Sequence, residues 1–390
     1  MGIPLISIII PTRNRQRYAN AAVRTILSFK KDIQVIVQDN SDDNSLKEML
    51  IDILDESTVI YNHIDGKIGG IDNYDIAARN ATGEYFCAIG DDDSLLPEIE
   101  DCALWMKKNN LDAVLPFKGI SYYWPGNLEA RHNAFLGIGE FNGTVAYHDP
   151  LNGLLELLKQ GGQNYLSLPM PGSYHGLVKR SRMQEIAIKT GKFYGGLSPD
   201  MYSATCLSLL PNMRFARIDY PITLPGICPQ STSALSDHGK HFGEFEDTPH
   251  FVGLLEPYSW DALIPRIYSV QTIWAETMLH AIKRMGRSDL IDKYFDRSQL
   301  ISQLYYKNKE HKQFLLTHLS ENDRLLVKKF NKHNINYNQI MRKIRYLISY
   351  GLGRSKRVYN CMTIKQAVDE VQKYIRKFFN NYWTQLDYAK

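Results

Sequence analysis

Residues 83–97 read GEYFCAIGDDDSLLP, an apolar run (Tyr85–Ile89) that ends in three consecutive acids, Asp91, Asp92 and Asp93. A short β-branched or aromatic run that stops at charged residues is the carboxyl end of a buried strand. Working outward, the same pattern recurs at Leu5–Ile10, Ile33–Gln38, Val59–His63 and Ala113–Pro116. Helical-period runs separate these strands at Tyr18–Phe29, Leu46–Asp55, Gly70–Ala81 and Pro97–Asn109, the last with a proline in its first turn. This alternation predicts an α/β fold, a doubly wound and mostly parallel sheet. Such sheets bind ligands outside the carboxyl ends of their strands, where this chain reads PTRNR, DNSDDNS and GDDDS.

The second half predicts a strand at His175–Val178 and helices at Ser181–Thr190 and Pro199–Leu210. Residues 225–250 cluster Pro, Gly, Ser and His without periodicity and read as a loop, and everything beyond Pro257 reads as helix. The division expected is one domain over 1–250, with halves at 1–116 and 117–250, and a helical C-terminal region over 251–390.

With 44% apolar and 23% charged residues, the 390-residue chain can bury a large core, which excludes a disordered or collagen-like protein. The net charge of +4 is unevenly spread: residues 301–390 hold 18 Lys and Arg against six acids, so the first 300 residues are net acidic. Ile340–Tyr350 and Tyr374–Trp383 mix basic and aromatic residues at spacings that separate into two helix faces. Such helices suit an anionic membrane surface, a packed appendage or a homo-oligomer contact. No nucleic-acid motif accompanies the charge. Five scattered cysteines without CxxC pairs indicate neither disulfide framework nor zinc site and fit a reducing compartment. With no signal-like N-terminus and no long apolar run, the expected location is cytoplasmic, either free or peripheral on the inner face of the plasma membrane.

Three adjacent carboxylates repel one another, and a divalent cation offsets that while leaving positions open for phosphates. The competing reading is a helix cap by Asp93 or Ser94. Asp39 ends a second strand and suits either a turn or a carboxylate that reads an imide N–H. Asp200, in Ser198-Pro199-Asp200, suits either a helix start or a general base. GxGxxG after a strand and GxxxxGK[ST] are both absent, which disfavours dehydrogenases and P-loop kinases.

The runs PLISIIIPTRNR, VIVQDNSDDNS and GGIDNYDIAARNATGEYFCAIGDDDSLLPE resemble the nucleotide-sugar domain of family 2 glycosyltransferases with a GT-A fold. The resemblance is specific over residues 4–110 and looser over 165–220. It implies a transferase that uses Mn²⁺ or Mg²⁺ to move a sugar, with inversion, from a nucleotide diphosphate donor such as a UDP-sugar. The acceptor it implies is a hydroxyl of a surface or lipid-linked glycan. On this likeness Pro11 and Thr12 line the base pocket, Asp39 reads the base, Asn73 belongs to the donor site and Asp91 lies nearer the ribose. Asp92 holds the metal, Asp93 and loop His238 being further ligand candidates, with His241 and His250 beside it in the sequence. Asp200 is the base, and Gly172, Ser173 and His175 border the acceptor pocket. Gly90 and Gln38 stand where many relatives have acids, so the roles of Asp91 and Asp93 can exchange by one position. Two alternatives are a catalytically silent glycan- or nucleotide-binding subunit and a sugar nucleotidyltransferase. The glycine-free PTRNR loop counts against the latter.

Overall fold

The computed structural model describes residues 2–54, 58–117, 119–126, 134–231, 241–327 and 354–388. Strands β1 (Ile6–Thr12), β2 (Ile33–Asp39), β3 (Val59–His63) and β4 (Tyr85–Ala88) form within two residues of the expected bounds. They run parallel in the spatial order β3-β2-β1-β4. The sheet continues through Leu177–Lys179, antiparallel to both neighbours, then Ala113–Leu115, Phe215–Ile218 and the edge strand Val145–His148. It is the expected doubly wound, mostly parallel sheet.

Alternation along each strand sends side chains to two cores. Ile8, Ile10, Val35, Val37 and Cys87 face helices α1 (Gln16–Leu27) and Ile99–Lys108, whereas Ile9, Ile36, Phe86 and Ala88 face α3 (Gly70–Arg79); the short α2 (Ser45–Leu50) lies between β2 and β3 in the chain. Burial on both faces is what a continuous β-branched run provides for. After β1 the chain winds outward to β2 and β3, then returns to the other side of β1 as β4. The switch point therefore lies between the ends of β1 and β4, where PTRNR meets GDDDS.

The C-terminal region departs from expectation in two ways. It is not wholly helical: Ile267–Ser269 pairs with Phe242–Glu244, and Lys356–Tyr359 pairs with Phe135–Ile138 to close a second sheet. Alternating residues in these short strands are too few to outweigh the helical pattern around them. Nor do its described parts sit together. Helix Val270–Arg284, started by a Ser269/Thr272 capping box, packs its Ala275, Met278 and Leu279 against Met201, Ala204 and the helix Pro150–Lys159. Helix Ile364–Phe378 instead buries Ile364, Val368, Val371 and Ile375 in the core of the N-terminal half. Aromatics of the 374–383 segment pack on that core, as the packed-appendage alternative expects: Tyr382 stacks on Tyr220 at 4.1 Å and Phe379 on Phe141 at 4.6 Å, while Phe378 is exposed. The other basic segment, Ile340–Tyr350, lies outside the described residues. Among the described residues no helix is long and apolar enough to cross a membrane.

Candidate active site

A cleft of about 480 Å³ opens at the switch point. Its lining brings together Pro11, Thr12, Asn73, Asp91, Asp92 and Asp200, six of the residues singled out from sequence. Asn73, in the first turn of α3, donates its amide to the carbonyls of Thr12 and Gln38, both at 3.3 Å, and so ties the ends of β1 and β2 together beneath the cleft.

The acidic triplet resolves into three roles. Asp91 is fully buried and neutralised from within: Arg15 pairs with it at 2.6 Å, and Thr12 Oγ1 donates to it at 2.6 Å. Asp93 is also neutralised. His175 Nε2 lies 3.0 Å from its Oδ2, which also accepts from Gly90 N and Tyr174 Oη, while its Oδ1 accepts from Gly226 N at 2.7 Å. Burial alone would raise the Asp93 carboxyl, but His175 and these donors outweigh it and hold the group below its ordinary value. With both oxygens engaged and no place in the cleft lining, Asp93 anchors the turn and is not placed as a metal ligand. Asp92 is the remaining acid. Its Oδ2 accepts from Cys228 N at 2.9 Å, and its nearest cation is Arg15 at 3.8 Å. Burial and its flanking acids Asp93 and Asp91 push its carboxyl up to about 7, against the pull of Arg15. Asp91 is thus tied to Arg15, and Asp93 to His175 and three further donors, while Asp92 keeps the fewest direct partners of the three.

Asp39 lies apart from the cleft lining. It is fully buried, with one oxygen accepting from Tyr61 Oη at 2.7 Å and the other from Ser41 N at 2.8 Å. His175 is spent on Asp93, and Ser173 is buried against Tyr194 Oη, so neither borders the cleft as expected; Gly172 lines a small side pocket that also touches Asp200. His238 falls outside the described residues. His241 and His250, from the same loop region, do line the cleft, their rings stacked at 5.6 Å. Burial drops both to about 4, so both imidazoles are neutral at pH 7.

Asp200 stands in the first turn of the helix Pro199–Ser208. Tyr165 Oη and Ser198 Oγ each donate to one of its oxygens, which fixes the carboxylate plane toward the cleft. Trp274, set edge-on to Tyr165 at 4.9 Å, forms the wall beside it. Neither Tyr165 nor Trp274 belongs to a motif, so no sequence signal marked them. Arg15 was visible within PTRNR, but its pairing with Asp91 was not.

Among the described residues no three His, Cys, Asp or Glu side chains converge as a ready-made ion cage. A hard cation in a phosphate site takes one or two carboxylates and completes its shell with water and phosphate oxygens. Asp92, whose nearest cation stands at 3.8 Å and which shares the cleft lining with two neutral imidazoles, fits that donor set.

Residues 7–150 match the family model Glycosyl transferase family 2, in agreement with the motif resemblance. Over 96 residues the chain is 33% identical to the putative colanic acid biosynthesis glycosyl transferase WcaA of Escherichia coli (strain K12). That match spans 24% of this chain and 34% of the relative, so the two share about a third of the relative's length. Among solved structures the chain is similar to S. aureus TarS 1–349 in complex with UDP-GlcNAc, at 15% identity and a TM-score of 0.47 over 95% of this chain and 92% of that one. It is also similar to the mannosyltransferase PcManGT from Pyrobaculum calidifontis in complex with GDP-Man and Mn²⁺, at 12% identity and a TM-score of 0.37 over 84% of each chain.

Proposed function

We propose that this chain, which carries a family 2 glycosyltransferase segment over residues 7–150, transfers a sugar from a nucleoside diphosphate, UDP in the first instance, to a hydroxyl of a surface or lipid-linked glycan, with inversion. The observation that carries this reading is the opening of Asp91, Asp92 and Asp200 onto one cleft at the sheet's switch point. Pro11, Thr12 and Asn73 form the donor end, and Asp39, expected to read the base, instead holds the end of β2 through Tyr61 and Ser41. Asp91, charge-balanced by Arg15, faces the ribose. Asp92 would hold Mn²⁺ or Mg²⁺, and His241, which lines the same cleft, would be the loop side chain to join it. The cation supplies neutralisation of the charge that develops on the departing diphosphate.

Asp200 accepts the proton of the attacking acceptor hydroxyl. Its two oxygens have about four lone-pair positions, so Tyr165 Oη, Ser198 Oγ and Met201 N orient it and leave about one open. Asp200→Asn should leave nucleotide binding intact and lower turnover by about 10²–10⁴-fold, the range for a positioned general base. NMR of the product should give the anomer opposite to the donor. A retained anomer, or an Asp200→Asn protein of undiminished turnover, would contradict the reading.

A further inference from the structure

Beyond the cleft lies a second groove, of about 630 Å³, lined by Phe245, Phe251, Leu254, Tyr258, Trp260 and Arg266. Its rings form one continuous wall: Phe245 meets Trp260 edge-on at 4.9 Å and Phe251 at 5.2 Å, and Phe251 meets Tyr258 at 5.9 Å. The Arg266 guanidinium lies on the Phe245 ring at 3.8 Å with its side chain 63% exposed and Glu246 at 3.4 Å, and Glu256, paired to Lys192 at 3.4 Å, is 70% exposed in the same lining. Aromatic faces bounded by planar donors and a carboxylate suit a ligand with apolar C–H faces and hydroxyl edges, the two surfaces of a pyranose ring.

The groove and the cleft lie on two sides of one apolar wall. Leu197 and Ile273 line the cleft, and on their other side they pack against Phe251, Leu254, Tyr258 and Trp260. The wall is also held in place without ligand. Gly69 N donates to Gly253 O at 2.6 Å, and Leu255 N to Asp72 Oδ2 at 3.0 Å, pinning it to the start of α3. Gly253 makes that approach with φ +77°, and a Cβ there would meet Lys67 O at 2.8 Å.

Resting on the glycosyl-transfer reading above, we propose that this groove holds the acceptor glycan at sugar units remote from the hydroxyl that is glycosylated. The test titrates the full chain, loaded with UDP and Mn²⁺, with size-fractionated glycans released from the surface of the cells that make it, followed by tryptophan fluorescence. Affinity should rise at least tenfold from the shortest fraction to longer ones. Trp260→Leu and Arg266→Ala should each remove most of that rise while leaving nucleotide binding unchanged; if Trp260→Leu fails to fold, the exposed Arg266 decides. Equal affinity for short and long fractions, or an undiminished rise in the variants, would overturn the inference. Chain-length-dependent glycan binding by a protein that binds no nucleotide would support the groove and sink the transfer reading.

Discussion

Gly226→Ala tests how Asp92 is held. Gly226 passes so close to the acidic turn that an added Cβ would overlap the Asp92 carbonyl oxygen and stand 2.6 Å from its carbon and 3.0 Å from Trp124 Nε1. Ordinary carbon contacts lie at about 3.5–4.0 Å, so the two backbones must part by more than about 1 Å. Three buried hydrogen bonds cross that seam: Gly226 N to Asp93 Oδ1, Cys228 N to Asp92 Oδ2, and Trp124 Nε1 to the Asp92 carbonyl. Hydrogen bonds to charged groups contribute about 1.5–3 kcal/mol each, so losing the first two costs about 3–6 kcal/mol. A shift of about 1 Å in Asp92 should lower turnover by about 10²-fold in whatever protein remains folded. Urea unfolding and steady-state kinetics read the two effects, with Gly243→Ala as control because its Cβ meets nothing within 4 Å. If Gly226→Ala matches the control in both assays, contact between this strand and the turn does not position Asp92.

Asp93→Asn removes the carboxylate that His175, Gly90 N, Tyr174 Oη and Gly226 N all engage and should cost at least about 1.5–3 kcal/mol, the contribution of one hydrogen bond to a charged group, whereas Asp92→Asn should keep or raise stability; urea midpoints reading the reverse order would exchange the two roles. Glu276 is buried, accepts from Tyr258 Oη and Asp261 N, and has its carboxyl raised to about 7, chiefly by burial. A raised carboxyl stabilises the fold below its unfolded value near 4.5 and loses that contribution as pH rises through 7, so stability should fall by about 3 kcal/mol between pH 4.5 and 8. Glu276→Gln should flatten that slope; an unchanged pH profile in urea melts would refute it. Deleting residues 354–390 exposes the core-facing side of helix Ile364–Phe378, worth about 1.5–3 kcal/mol for each large apolar side chain. The truncated protein should therefore aggregate or melt at much lower temperature, and an unaltered melting temperature would contradict its place in the core.

The first four strands were legible almost to the residue because β1, β2 and β4 are mostly apolar runs buried along their whole length, while the half-buried β3 opens on the β-branched pair Val59-Ile60. Asp91, Asp92 and Asp200 were legible because strand ends and helix starts fix where such acids can stand. What separates Asp93 from Asp92 was not, since the residues are chemically identical. The difference comes from His175 and Gly226, which reach Asp93 across distant parts of the chain. The basic C-terminal segment reads the same whether its apolar face meets lipid or protein, and its contacts of Tyr374, Phe379 and Tyr382 with Phe141 and Tyr220 depend on residues far away in the chain. Tyr165 and Trp274 carried no signal because a side chain that orients another needs no motif of its own.

The central claim is that Asp92 makes this cleft a metal-dependent nucleotide site. Calorimetric titration of UDP, GDP, dTDP and CDP into the wild-type protein and Asp92→Asn, each with Mn²⁺ and with EDTA, tests it most directly. The account predicts that the wild type binds one of these nucleotides with Mn²⁺ and loses that binding with EDTA, and that Asp92→Asn does not bind it in either condition. Binding that is indifferent to EDTA, or retained by Asp92→Asn with Mn²⁺, would contradict it.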